Sequence, residues 1–333
     1  MDKIRDIIKS ALRSQAAGPL VATIFVAVLV ALTTPRFLMA NNLGNIALQV
    51  SITALMAIGS TIVIFSQGID LSPGSMVALI TMVFAVLVKF VGLPLPVGIA
   101  IILVLGSLLG SLNGFITAYI RIPSFITTLA GLSAYRGLAF MFNNGSPVFS
   151  ISDYLDPIFY GKLFGIPLPL YYVVAFYALA VVFMRYMKLG RRIYAVGGNA
   201  AAAELSGINV KRIQLLAFAI AGFMAAVAAV LMAARLNSGS PNYGVGMELQ
   251  AIAAAVIGGA SLSGGRGSII STLFGALTIT IVQNGLNLNA VPTSLQNIII
   301  GLIILSAVGI DMWRAELSAM LQRVIPGMGK NNL

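Results

Sequence analysis

The chain has 333 residues, of which 59% are hydrophobic and only 9% charged, with a formal net charge of +11 and a mean hydropathy of +0.99. A soluble domain carries about 25% charged residues, so this composition leaves no water-facing surface and places the chain in a membrane. There is no Cys and no His, which removes disulfides, thiolate nucleophiles, imidazole bases and most transition-metal ligands. No catalytic residue, metal or cofactor is expected, and the chain does not read as an enzyme. The basic excess does not point to nucleic acid either, because the Lys and Arg residues sit in short gaps between apolar runs, as the positive-inside rule describes.

A helix needs about 20 apolar residues to cross the hydrocarbon. In chain order, candidate spans lie near 18–34, 44–66, 74–91, 95–120 and 123–142. A polar loop with Asn143, Asn144, Asp153, Asp156 and Lys162 follows, and five more candidates lie near 168–187, 213–234, 248–262, 268–286 and 294–311. The first apolar stretch, preceded by Lys3, Arg5, Lys9 and Arg13, runs to Thr34 without a small-residue cleavage site and reads as a retained span. The expected fold class is all-α: a polytopic helix bundle of about ten spans forming one domain over 1–333. Residues 1–17, a loop at 188–212 and a tail at 312–333 are expected on the cytoplasmic side.

The charge bias agrees with that topology. Inside segments collect Lys3, Arg5, Lys9, Arg13, Arg121, Arg185, Lys188, Arg191, Arg192, Lys211, Arg212, Arg266, Arg314, Arg323 and Lys330; outside segments collect Arg36, Lys89, Lys162 and Arg235, and Arg136 falls within a span.

Two stretches interrupt the spans in a related way. Gly68-Ile69-Asp70-Leu71-Ser72-Pro73-Gly74-Ser75 and Gly259-Ala260-Ser261-Leu262-Ser263-Gly264-Gly265-Arg266-Gly267-Ser268 both contain Gly-x-(Asp/Ser)-Leu-Ser-x-Gly, at equivalent points of the two halves. Paired Gly/Pro-interrupted segments point to a transporter built from internal repeats, whereas two ordinary turns between helices use the same residue types. The second stretch is not a phosphate loop, because Gly265 stands where the required Lys would be. Any ATP is therefore expected on another subunit. Asp70 reads either as a membrane-embedded functional acid or as part of an N-cap, with Ser72, for the span that starts near Pro73; Glu248 has the same two readings. Gly106, Gly110 and Gly114 recur every four residues, the small-xxx-small spacing that lets helix backbones touch.

The segment from Arg191 to Ile208 specifies its own short helix. Asn199 is a strong N-cap, the four residues Ala200 to Ala203 are the best helix formers, and Gly207 suits the C′ position. About two turns of helix are not stable alone in water, and this one lacks the large apolar face of an interfacial helix. It reads as an element that docks onto a cytoplasmic partner.

Together these segments resemble the permease subunits of ATP-binding-cassette importers for monosaccharides, of the ribose type. The resemblance rests on Gly68 to Ser75, Tyr194 to Ile208, Glu248 to Ser268, Asn144 to Val148 and Asn284 to Leu288, and it spans nearly the whole chain. Gln67 and Pro73 depart from it, standing where Gly and Val are commoner. The resemblance implies a bacterial inner-membrane protein, paired with a second permease chain, identical or not. It also implies a cytoplasmic ATP-binding-cassette ATPase below and a periplasmic sugar-binding protein above. Gly197, Gly198, Asn199, Ala202, Ala203, Glu204, Leu205, Ser206, Gly207 and Ile208 would then form the helix that couples to the ATPase. Passage of a sugar by alternating access needs hydrogen-bonding groups that also let go, and the candidates are Gln49, Ser51, Ser66, Gln67, Asp70, Gln283, Asn284, Asn287 and Asn289. The alternative is a secondary transporter or channel without an ATPase.

Overall fold

The computed structural model describes residues 16–324. The first apolar runs become α1 (Ala17–Thr33), α2 (Ala40–Phe65), α3 (Pro73–Ala85), α4 (Leu95–Phe115) and α5 (Ser124–Met141). The polar loop holds the strand β1 (Val148–Phe149), the short α6 (Leu155–Phe159) and a hairpin of β2 (Lys162–Leu163) and β3 (Ile166–Pro167). There follow α7 (Leu168–Tyr186), α8 (Lys188–Gly198), α9 (Ala200–Leu205), α10 (Val210–Leu236), β4 (Ser238–Gly239), α11 (Met247–Ile257), α12 (Ile269–Leu288) and α13 (Thr293–Val324). β4 pairs antiparallel with β1.

The all-α membrane bundle is as expected, but the count is lower. Seven helices among the described residues are long and apolar enough to cross a membrane: α2, α3 with its continuation to Phe90, α4 to Ile120, α5 to Gly145, α7, α10 and α12. The other three expected spans are apolar helices of lesser length: α1, α11 and Thr293–Gly309 of α13. The expected span 248–262 is shortest of all because α11 stops at Ile257. Gly258 there presses on the backbone of Ser271 and Thr272, and Gly259 turns left-handed at φ +85°. The expected cytoplasmic segment 1–17 and tail 312–333 fall largely outside the described residues, apart from Ala16, Ala17 and the last turns of α13.

The core is built around α2, buried almost throughout from Val50 to Phe65. In lipid every backbone group must bond within its own helix, so this β-branched run is helical despite its strand-like composition. Polar threads tie α2 to its neighbours. Thr61 shares a hydrogen bond with Thr272, and Asn42 and Asn284 exchange both amide bonds at 2.9 and 2.8 Å. The Tyr177 hydroxyl donates to the Ala54 carbonyl. The glycine stripe of α4 lies against α10: Gly106 faces Gly222 and Ala226, Gly110 faces Phe218 and Gly222, and Gly114 faces Leu215. The opposite side of α4 presents Val104, Leu108 and Leu112 outward, the exposed apolar face expected toward lipid.

Candidate functional site

The helix expected from Asn199 forms as α9. The Asn199 side chain accepts from the Ala202 amide at 3.0 Å. At the other end Gly207 is left-handed at φ +78°, the Gly207 amide donates to Glu204 and the Ile208 amide to Ala203, at 2.9 and 3.0 Å. These two bonds make a Schellman closure, so both ends of a six-residue helix are satisfied locally. Ala203 faces inward, while Ala201, Ala202, Glu204 and Ser206 are exposed and Leu205 is 91% exposed.

The sequence reading treated 188–212 as a loop with one helix, but α8 precedes α9 and is a second one. Its apolar side, Gly190, Ile193, Val196 and Gly197, is buried against the bundle. Gly197 therefore belongs to the packing rather than to an exposed coupling surface. A Cβ there would run into the Phe65 carbonyl oxygen and lie 2.7 Å from the Gly265 amide nitrogen. That amide itself donates to the Phe65 carbonyl at 3.1 Å. Tyr194 adds a second clasp: its ring packs on Phe65 at 4.7 Å between centroids and its hydroxyl donates to Gly267 at 3.2 Å. Burial pushes this hydroxyl up to about 12, so it remains a donor at any working pH. The end of α2, the second glycine break and α8 thus meet at one point, and nothing local in the sequence marks that meeting.

The first break is held by a chain of buried polar groups. Asp70 Oδ1 accepts from the Ser72 amide and hydroxyl at 2.9 and 2.6 Å, Asn113 Nδ2 donates to the Ser72 hydroxyl at 2.9 Å, and the Tyr135 hydroxyl donates to Asn113 Oδ1 at 2.9 Å. The N-cap reading of Asp70 is corrected here. Its carboxylate closes a turn onto Ser72 ahead of α3, and Ser72, which occupies the cap position, makes no side-chain cap bond. Glu248 is no cap either, since left-handed Gly246 holds that position of α11. Asn113→Leu is expected to cost about 1–2 kcal/mol, because it removes two buried hydrogen bonds while the Ser72 hydroxyl keeps Asp70 and the Tyr135 hydroxyl keeps the Leu109 carbonyl at 3.2 Å; thermal unfolding of the purified chain in detergent measures it. Asn113 and Tyr135 were missed, although polar residues inside apolar spans were the available signal.

The proposed pathway residues do not converge. Gln67 lies beside Gly264 at the end of α2 that meets α8. Gln67, with Ser124, Glu204, Gly207, Lys211 and Gln214, lines a cavity of about 850 Å³ between α9 and the α4–α5 turn. Asn284, Asn287 and Asn289 sit at the far end of α12. There Asn284 bonds Asn42, Asn287 accepts from Gln296, and Asn289 donates to Thr34. Ser51 and Ser66 are fully buried and bond the carbonyls of Ala47 and Val63 in their own helix, while Gln49 and Gln283 are half-buried on α2 and α12. Most of these side chains are thus occupied by interhelical or local bonds.

Residues 42–308 match the family model described as a branched-chain amino acid transport system / permease component. The chain is 40% identical to the ribose import permease protein RbsC of Escherichia coli K12 over 298 residues, covering 88% of this chain and 92% of that one. It is 40% identical to RbsC of Haemophilus influenzae Rd over 295 residues, covering 87% and 91%. It is 36% identical to the xylose transport system permease protein XylH of the same organism over 340 residues, covering 84% and 91%. No solved structure matches it. A helical membrane bundle matched over most of its length by this family, and aligned almost end to end with these relatives, belongs to the branched-chain amino acid transport system permease family.

Proposed function

We propose that the chain is the membrane-embedded permease subunit of an ATP-driven importer for a monosaccharide, ribose or a related sugar. The observation that carries this reading is α9: a helix closed at both ends by its own residues, presenting Leu205 to solvent, in a chain whose relatives are named as ribose and xylose permeases. The partners are a cytoplasmic ATP-binding-cassette ATPase at α9, a periplasmic sugar-binding protein and a second permease chain, in the lipid bilayer of a bacterial inner membrane. In this arrangement α1, α11 and α13 complete ten spans with both termini cytoplasmic, and α8 and α9 form the coupling element. ATP binding moves the α9 surface, α8 carries the displacement through Gly197 and Tyr194 to the end of α2 and the second break, and the helices that follow reorient. The chain itself breaks no covalent bond; it binds, releases and moves.

The test is reconstitution of the whole importer with D-ribose as solute. ATP-dependent uptake that survives collapse of the proton gradient is expected. Uphill accumulation by this polypeptide alone, with no ATPase present, would overturn the reading. Within the complex, Leu205→Asp is expected to lower ATPase retention on co-purification by at least tenfold, because it puts a charge in the centre of the contact surface. Asn199→Pro combined with Gly207→Val removes both helix closures, the second forcing a β-branched residue to a positive φ at about 1–3 kcal/mol, and should sever uptake from ATP hydrolysis. Undiminished coupling in that double variant would remove α9 from the mechanism.

A further inference from the structure

After α10 ends at left-handed Asn237, the chain does not leave the bundle but runs back along α3. Gly239 packs against Thr81 and Gly244 against Gly74. α4 serves as a ruler for the depth of this segment. Gly98, near one end, faces Phe84 and Val88, while Asn113, fifteen residues on, bonds Ser72, a separation of about 22 Å along a helix that is itself about 39 Å long. Thr81 and Gly74 lie between those two levels, so residues 239–246 sit at the depth of the bilayer. They are mostly not helical, and Asn242 is exposed while Val245 is 71% exposed.

Backbone of this kind is tolerated at membrane depth only when buried in protein or facing water. What braces it is polar: the Arg136 guanidinium on α5 donates to the carbonyls of Pro241 and Tyr243 at 2.5 and 2.6 Å. The Oε2 of Glu248, in the first turn of α11, is buried and has no hydrogen-bond partner. Gly74 is bare where this oxygen and the Gly244 carbonyl rest on it; a Cβ would collide with both.

We propose that Pro241–Glu248, held open by Arg136, lines the water-filled route through the membrane, and that the exposed Asn242 amide takes the hydroxyls of a passing neutral polyol. This rests on the transport reading and replaces the dispersed pathway candidates with a single wall. A route for a neutral sugar needs an acceptor and a donor without net charge, and the exposed Asn242 amide provides both kinds.

The chain has no native Cys, so Asn242→Cys or Val245→Cys introduces its single thiol. In the complete importer in membrane vesicles, a charged, membrane-impermeant methanethiosulfonate should label this chain at both positions, and D-ribose should slow labelling at Asn242→Cys at least threefold. Val104→Cys, on the apolar outer face of α4, should stay unlabelled. Asn242→Ala should raise the KM for D-ribose uptake by about tenfold. No labelling at either position while uptake continues overturns the inference and leaves the transport reading standing; so does disulfide cross-linking of Val245→Cys between two permease chains without labelling, which marks a dry seam. Labelling that D-ribose does not slow, with an unchanged KM for Asn242→Ala, overturns the assigned hydroxyl contact. Loss of ATP-dependent uptake from the unmodified importer is the separate failure of the transport reading.

Discussion

Gly197→Val is expected to reduce ATP-driven solute uptake to background while the complex with the ATPase still assembles. Gly197 lies on the Phe65 carbonyl and beside the Gly265 amide, both backbone groups that cannot rotate away. Any Cβ there forces α8 off the end of α2 and the second break by roughly 1 Å in a close-packed interior, and Val adds two further methyl groups. The exposed α9 surface, with Leu205 and the Asn199 cap, is not touched by the change, so ATPase binding and basal hydrolysis persist while the displacement is lost between α8 and the ends of the broken helices. Parallel measurement of ATP hydrolysis and D-ribose uptake in proteoliposomes checks it. Gly197→Ala should be intermediate, and wild-type uptake in Gly197→Val would show that force does not pass this point.

Gly222→Leu should have the largest effect on stability, about 3 kcal/mol or more. Overpacking a well-filled core typically costs about 1–3 kcal/mol, and here the new side chain meets backbone rather than flexible side chains. The Gly106 carbonyl oxygen is in its way, with Gly110 Cα and N at 2.9 Å. α4 and α10 lie together along the whole glycine stripe, and helix association in lipid depends on that close approach because there is no hydrophobic drive between apolar helices. The midpoint of thermal unfolding in detergent reads the loss. Gly137→Leu is the comparison: Gly137 lies on the exposed side of α5 with nothing within 4 Å of an added Cβ, and its change should stay within about 0.5 kcal/mol. Equal shifts for the two variants would show that the α4–α10 contact does not limit stability.

The amino-acid sequence by itself determined the membrane setting, the approximate place of the apolar helices, the glycine stripe on α4 and the α9 helix with both of its closures. All of these are set by composition, by helical spacing or by caps a few residues from what they satisfy, so no distant partner enters. Only the tertiary structure decided that α8 is a second helix, that Asp70 bonds Ser72, itself held by Asn113, rather than capping α3, and that α11 stops after Ile257. Only it brought Gly197, Phe65 and Gly265 to one point and Arg136 beside Pro241 and Tyr243. These contacts join residues dozens to more than a hundred positions apart, and in a chain that is apolar on every side, hydropathy does not say which face of a helix meets which neighbour; the fit of glycine backbones and the pairing of buried polar groups do.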